Sequence, residues 1–248
     1  KSYRDAVAPI EERGIPWAAT FGNHDDEGSV DRDGLMEVQM SCAHSLSQPG
    51  PEEVSGVGNY ALSVQSNDGD ISAAVLYFID TNSYAETDIG GYGWVRRDQI
   101  AWWLDTARAQ HTNAVEDAPA LAFFHIPLPE YDEVWDLHPC HGVKHEAVCP
   151  PRINTGLFAA FHEFGDVVGT FVGHDHVNDY VGELHGIRLC YGRGSGFSTY
   201  GRDSFPRGAR VIRLTQGKRE FETWMRLEDD VKVTEQLLHE PCGRTLTA

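Results

Sequence analysis

The chain has 248 residues, 41% hydrophobic and 23% charged, which is the usage of one large folded domain and excludes a disordered or fibrous chain. Lys+Arg 20 against Asp+Glu 38 gives a formal net charge of -18, a field that repels a phosphate backbone and argues against nucleic acid as a partner. No apolar run approaches the roughly 20 residues a membrane helix needs, so no membrane span is expected.

Lys1-Ser2-Tyr3-Arg4 is neither an initiator methionine nor a signal peptide with an apolar centre, and reads as a start inside a longer product. Tyr3, Val7 and Ile10 sit at helical spacing and predict an amphipathic helix from Lys1 to Arg13, ended by Gly14. Trp17 to Phe21 reads as a short buried strand that stops at Gly22-Asn23-His24-Asp25. A second helix is expected over Asp33 to Ser45, and a loop from Pro49 to Gly58. Asn59 to Gln65 and Ala73 to Ile79 read as antiparallel strands joined through an Asp68-Gly69 turn.

Asp98 to Ala109 carries Ile100, Trp103, Leu104 and Ala107 as an amphipathic helix would, with Trp102-Trp103 assigned to packing. Ala120 to Phe124 is the next buried strand and ends at His125. Asn154 to Phe164 is expected to be helical, and Val167 to Val172 to be a strand that delivers Gly173-His174-Asp175-His176. Strands follow at Tyr180 to Leu184, Ile187 to Tyr191, Ala209 to Leu214 and Glu220 to Met225. Residues 1–226 thus form one α/β domain, and 227–248, with Glu228-Asp229-Asp230, read as a solvated C-terminal extension.

Three apolar strands end in residues able to bind metal: Phe21 into Asn23-His24, Phe124 into His125, and Val172 into His174 and His176. Ligands of open α/β sheets bind at the carboxyl ends of strands, so these ends can converge on one cleft despite their distance in sequence. Histidine is the commonest metal ligand near neutral pH. Three such ends of one chemical type are what lift the His-x-His pair above a pair of ordinary loop histidines.

Gly22-Asn23-His24-Asp25, His125 and Gly173-His174-Asp175-His176 resemble the last three motifs of the calcineurin-like metallophosphoesterases. The segments Gly14-Ile15-Pro16-Trp17, Phe124 to Tyr131 and Leu189-Cys190-Tyr191-Gly192 resemble the branch related to purple acid phosphatases. The resemblance implies a four-layer α/β/β/α sandwich of two mixed sheets. It implies two metal ions (Fe, Mn or Zn), with Asn23, His125 and His174 on one and His176 on the other. A hydroxide activated between the ions would hydrolyse a phosphate ester. His24 would protonate the leaving group or stabilise phosphoryl charge, and Asp25 would orient its ring. The expected partner is a phosphorylated small molecule or a phosphoprotein.

The family's first two motifs, Asp-x-His and Gly-Asp-x-x-Asp, should precede Gly22-Asn23-His24-Asp25 but do not occur in the 21 residues ahead of Gly22. The N-terminal strand or strands are therefore expected to be missing, leaving one ion three protein ligands and the other only His176. The chain alone is then expected to be metal-poor and nearly inactive. A catalytically silent binding or regulatory homologue is the alternative, while a nuclease of the same superfamily conflicts with the charge.

Cys140 and Cys149 are close enough in sequence to close a disulfide loop, which would point to an oxidising compartment, secreted or periplasmic; free buried thiols are the other reading. His138, Cys140, His141, His145 and Cys149 also crowd ligands suited to zinc into one segment, although the spacing matches no common zinc module. Lys144, Arg152, Arg193 and Tyr200 are candidate substrate contacts on loops. Gly192 to Phe197 is glycine-rich but lacks the Lys and Ser or Thr of a phosphate loop, and reads as a rim loop.

Overall fold

The computed structural model describes residues 2–69 and 71–243. The first helix, α1 (Ser2–Glu11), and the second, α2 (Arg32–Met40), flank the loop that carries Asn23. Asp31 caps α2 by accepting from the backbone N–H of Gly34 at 3.0 Å. Strands β1 (Tyr60–Gln65) and β2 (Ser72–Phe78) pair antiparallel, as the turn between them requires. Helix α3 (Arg97–Thr112), strand β3 (Ala120–Phe123), helix α4 (Glu130–Leu137), strand β4 (Cys140–His141) and helix α5 (Leu157–Phe164) follow. The remaining strands are β5 (Val167–Val172), β6 (Val181–Leu184), β7 (Ile187–Tyr191), β8 (Gly208–Arg213), β9 (Glu222–Leu227), β10 (Lys232–Val233) and β11 (Leu238–His239).

Eight strands form one mixed sheet in the order β1-β2-β3-β5-β7-β6-β4-β11, and β10-β9-β8 form a second, antiparallel sheet. Strands β2, β3, β5 and β7 are mutually parallel and form the middle of the large sheet. Alternation along these strands feeds two cores. On one face Tyr77, Ala122, Val167 and Leu189 pack against Trp103 of α3, Tyr131 and Val134 of α4, and Phe161 of α5. On the other, Leu121, Phe171 and Cys190 meet Phe221, with Ile212 and Leu214 beside it, so the second sheet stacks on the first. A helix layer, the large sheet and the small sheet therefore lie in succession.

Beyond shifted boundaries and the short unforeseen β4, three departures from the sequence expectation stand out. Trp17 to Phe21 is no strand: Trp17 makes a single bridge to Ser45. The backbone of Ala19 is satisfied by side chains instead, donating to Ser47 Oγ and Tyr60 Oη at 3.1 Å and accepting from Tyr60 Oη at 2.9 Å. Helix α4, unforeseen, starts at once after Pro129, and buries Tyr131 and Val134 three residues apart. Residues after Met225 return to the sheets, β10 beside β9 and β11 at the edge beside β4.

Candidate metal centre

Because β2, β3, β5 and β7 are parallel, their carboxyl ends open on one side and present residues 79–84, 124–126, 173–176 and 192–200 together. Two cross-links hold these exits in register: Ile126 N donates to Thr81 Oγ1 at 3.0 Å, and Gly173 N to His125 O at 3.2 Å. The loop carrying Asn23 is clamped over them by Arg32, which is 9% exposed. Its guanidinium pairs with Asp80 at the β2 exit and with Asp26 at 3.1 Å, and donates to Gly22 O at 3.0 Å. Gly22 approaches His125 so closely that a Cβ there would lie 3.1 Å from the ring.

The outcome is a triangle of lone-pair atoms. His125 Nε2 and His174 Nδ1 lie 3.1 and 3.0 Å from Asn23 Oδ1, and 3.3 Å from each other. Ligands about 2.0–2.1 Å from one ion, at angles between square and tetrahedral, stand about 3.0–3.4 Å apart, so the triangle fits a zinc-sized ion. An amide oxygen with two imidazoles suits Fe, Mn or Zn better than Ca, which favours all-oxygen cages. Burial, reinforced by neighbouring imidazoles, pushes His125 down to about 3 and His174 down to about 4. Both rings are thus neutral at pH 7, the form that donates to a metal. His174 holds this position at φ 69°, a left-handed conformation rare outside glycine and found where a site fixes its geometry.

The other site residues border a cavity of about 510 Å³ whose walls include Asn23, His24, His125, His174 and His176. His176 stands apart from the triangle: its Nδ1 is 2.8 Å from Thr199 Oγ1, its ring stacks on Tyr200 at 4.2 Å, and burial lowers its pKa. His24 is open to solvent, with Nδ1 2.8 Å from Glu27 and 3.3 Å from Tyr84 Oη. Asp175 is buried, accepts from Tyr191 Oη at 2.6 Å and from Cys149 N at 3.2 Å, and is raised by burial to about 6.

Several assignments change. Asp25 does not orient His24; its carboxylate accepts from Gly22 N at 2.7 Å and tightens the turn, while Glu27, three residues on from His24, takes the ring. Lys144 is committed to Asp132 at 2.8 Å, and Arg193 to Asp179 at 2.5 Å with its guanidinium 3.7 Å over Phe205, so neither is a free phosphate contact. Arg152 donates to Ile89 O at 2.5 Å. Tyr200 does line the cavity, its hydroxyl donating to Glu146 at 2.9 Å. The His138 to Cys149 segment holds no zinc cage: Cys140 is buried against Val134 O and His145 packs edge-on to Phe205. Cys140 and Cys149 are free thiols, raised by burial to about 12 and about 11. Among the described residues no three His, Cys, Asp or Glu side chains gather to hold an ion, so the triangle depends on the Asn23 amide.

Arg32 and Tyr84 were not legible as site residues. Tyr84 Oη accepts from Asn23 Nδ2 at 3.1 Å and donates to Glu27 at 3.1 Å. It follows the β2 exit Asp80-Thr81-Asn82-Ser83, an apolar strand running into polar residues like β3 before His125 and β5 before His174.

No family model matches the chain. Across 97% of its length the chain is 37% identical to "Probable inactive purple acid phosphatase 28" of Arabidopsis thaliana, 67% of which is covered. Across 92% it is 34% identical to "Phosphatase DCR2" of Saccharomyces cerevisiae, with 42% of that protein covered. The chain therefore spans about two thirds of the plant relative and under half of the yeast one. Among solved structures, a dimetal phosphatase from Danio rerio aligns over 95% of this chain and 87% of its own, with 12% identity and a TM-score of 0.48.

Proposed function

The chain belongs to the calcineurin-like metallophosphoesterases, in the branch of the purple acid phosphatases, and from that membership we propose that its cavity hydrolyses phosphate esters with metal ions held by its own residues. The observation that carries the proposal is the Asn23, His125 and His174 triangle with 3.0–3.3 Å edges. Asn23, His125 and His174 would hold one ion and His176 would contribute to a second; Fe, Mn and Zn all suit the donors. Such ions polarise a phosphoryl oxygen and lower the pKa of water at the site.

The chain's residues supply the rest. Arg32 clamps the Asn23 loop through Gly22 O, and Tyr84, accepting from Asn23 Nδ2, leaves the amide oxygen facing the two rings. Glu27 and Tyr84 occupy the Nδ1 end of His24, which leaves Nε2 to give a proton to the departing alkoxide. Asp175 steadies the turn between the two histidines through Tyr191 and Cys149 N. The partner is a phosphorylated small molecule or phosphoprotein.

A second reading has its own support. His176 already has Thr199 and Tyr200 as neighbours, and the plant relative carries "inactive" in its name, which favours a protein that binds a phosphate ester without turning it over. Turnover of 4-nitrophenyl phosphate after loading with Fe, Mn or Zn separates the two. In a protein that also carries Asp-x-His and Gly-Asp-x-x-Asp ahead of Gly22, metal-dependent hydrolysis lowered roughly 10²- to 10⁴-fold by His24→Gln with metal content unchanged is the expected result, while the chain alone is expected to turn over little. Full metal content with phosphate binding and no turnover would establish the silent protein instead.

A further inference from the structure

The walls of the cavity say what a substrate carries beyond its phosphoryl group. None of the residues lining it is Lys or Arg, whereas Asp25, Glu146 and Asp175 are among them. Three cations near it by sequence or loop are engaged with other groups. Lys144 and Arg193 form the ion pairs described above, and Arg207 donates to the carbonyls of Thr199 and Tyr200 at 2.8 and 3.0 Å. A second phosphate or a carboxylate on the substrate would therefore meet carboxylates in a lining that supplies no Lys or Arg.

Aromatic surface is what the walls offer instead. Tyr92 stands edge-on to His174, centroids 4.3 Å apart at 87°, and Tyr200 lies parallel to His176 at 4.2 Å and 16°. Each histidine of the His-x-His pair thus carries a tyrosine. Both rings are set in place: Tyr84 stacks beside Tyr92 at 5.9 Å, and Glu146 accepts the Tyr200 hydroxyl at 2.9 Å. Tyr200 is nevertheless 54% exposed, and Phe197 on the same loop 75%, so the rim keeps apolar area that nothing in the fold covers. Rings held before a ligand arrives contribute to affinity at little entropic cost.

We propose that this site selects small phosphate monoesters of aromatic alcohols that bear no further anionic group, the ring lying against Tyr92 and Tyr200. The proposal rests on the reading of the cavity as a phosphoester site. Phosphonates, which cannot be hydrolysed, test it by calorimetry on the full zinc-loaded chain. Phenylphosphonate is expected to bind at least roughly 10-fold more tightly than methylphosphonate, and 4-carboxyphenylphosphonate more weakly than phenylphosphonate. Tyr200→Ala and Tyr92→Ala are each expected to narrow the phenyl-to-methyl ratio roughly 2- to 10-fold, and Tyr200→Phe to keep it. Equal binding of the phenyl and methyl compounds, or a ratio indifferent to both alanine variants, overturns the aromatic preference and leaves the phosphoester reading standing. If neither phosphonate binds, the phosphoester reading fails and the preference falls with it.

Discussion

Tyr84 decides which end of the Asn23 amide faces the histidines. The two ends of an asparagine side chain are nearly alike in shape, and only their hydrogen bonds distinguish them. With Nδ2 donating to Tyr84 Oη at 3.1 Å, the oxygen is left for His125 and His174. Tyr84→Phe removes that acceptor while keeping the ring, which is 49% exposed and not part of the core. Metal affinity, measured by competition with a chelator, is expected to fall roughly 10- to 100-fold, the usual cost of losing a group that orients a ligand. Unchanged affinity would show that Asn23 needs no such orientation. The histidines and Asn23 were legible in the sequence because each follows an apolar run, whether or not that run forms a strand; Tyr84 was not, because tyrosine at a strand exit announces no chemistry of its own. Asp25 shows the converse: adjacency in a motif suggested a partner for His24, but the turn aims Asp25 at Gly22 N and brings Glu27 round instead.

Between elements, close approach leaves little room. At Gly169 on β5 an added Cβ would lie 2.6 Å from the Phe221 ring, where the two sheets face each other. Gly169→Ala must push the small sheet off the large one, and is expected to cost about 1–3 kcal/mol in urea unfolding, as overpacked cores do. A loss below a few tenths would mean that Phe221 swings aside freely.

Asp166, just before β5, ties that strand to β2 by accepting from Tyr77 Oη at 2.8 Å, while its Oδ1 is buried without a partner. Burial raises its pKa, so the folded state holds the proton to higher pH than the unfolded chain. Its contribution is therefore most favourable below the ordinary carboxylate range and is lost as pH rises. Asp166→Asn cannot titrate. Its unfolding free energy relative to the parent is expected to be flat at low pH and to shift in its favour as pH rises past that range. Parallel curves from pH 3 to pH 7 would contradict this.

Element boundaries were legible wherever an apolar run was long and bounded by turns: Val167 to Val172 and Ile187 to Tyr191 agree to the residue with β5 and β7. Trp17 to Phe21 misled because β propensity reports a half-buried surface and not a ladder partner, and here Ser47 and Tyr60 side chains take the backbone groups. Helix α4 escaped because eight residues behind Pro127 and Pro129 hold little more than two turns, too short for its period to stand out.

At the scale of the whole molecule, strand order turns scattered residues into a site. Asn23 and His174 are 151 residues apart, yet they lie within hydrogen-bond distance because β3 and β5 are parallel neighbours and Arg32 holds the Asn23 loop over their exits. The sequence marked which apolar runs end in residues able to bind metal; it could not show that β2, β3, β5 and β7 adjoin in that order, since adjacency depends on how the faces pack against α3, α4, α5 and the small sheet.

The arrangement stands or falls on whether the triangle holds an ion. Calorimetric titration of the full chain with Zn²⁺ at pH 7 is expected to show saturable binding whose tightest site disappears in both Asn23→Ala and His125→Ala. The same titration with no saturable binding, or with a tight site that survives loss of Asn23 and of His125, would contradict it.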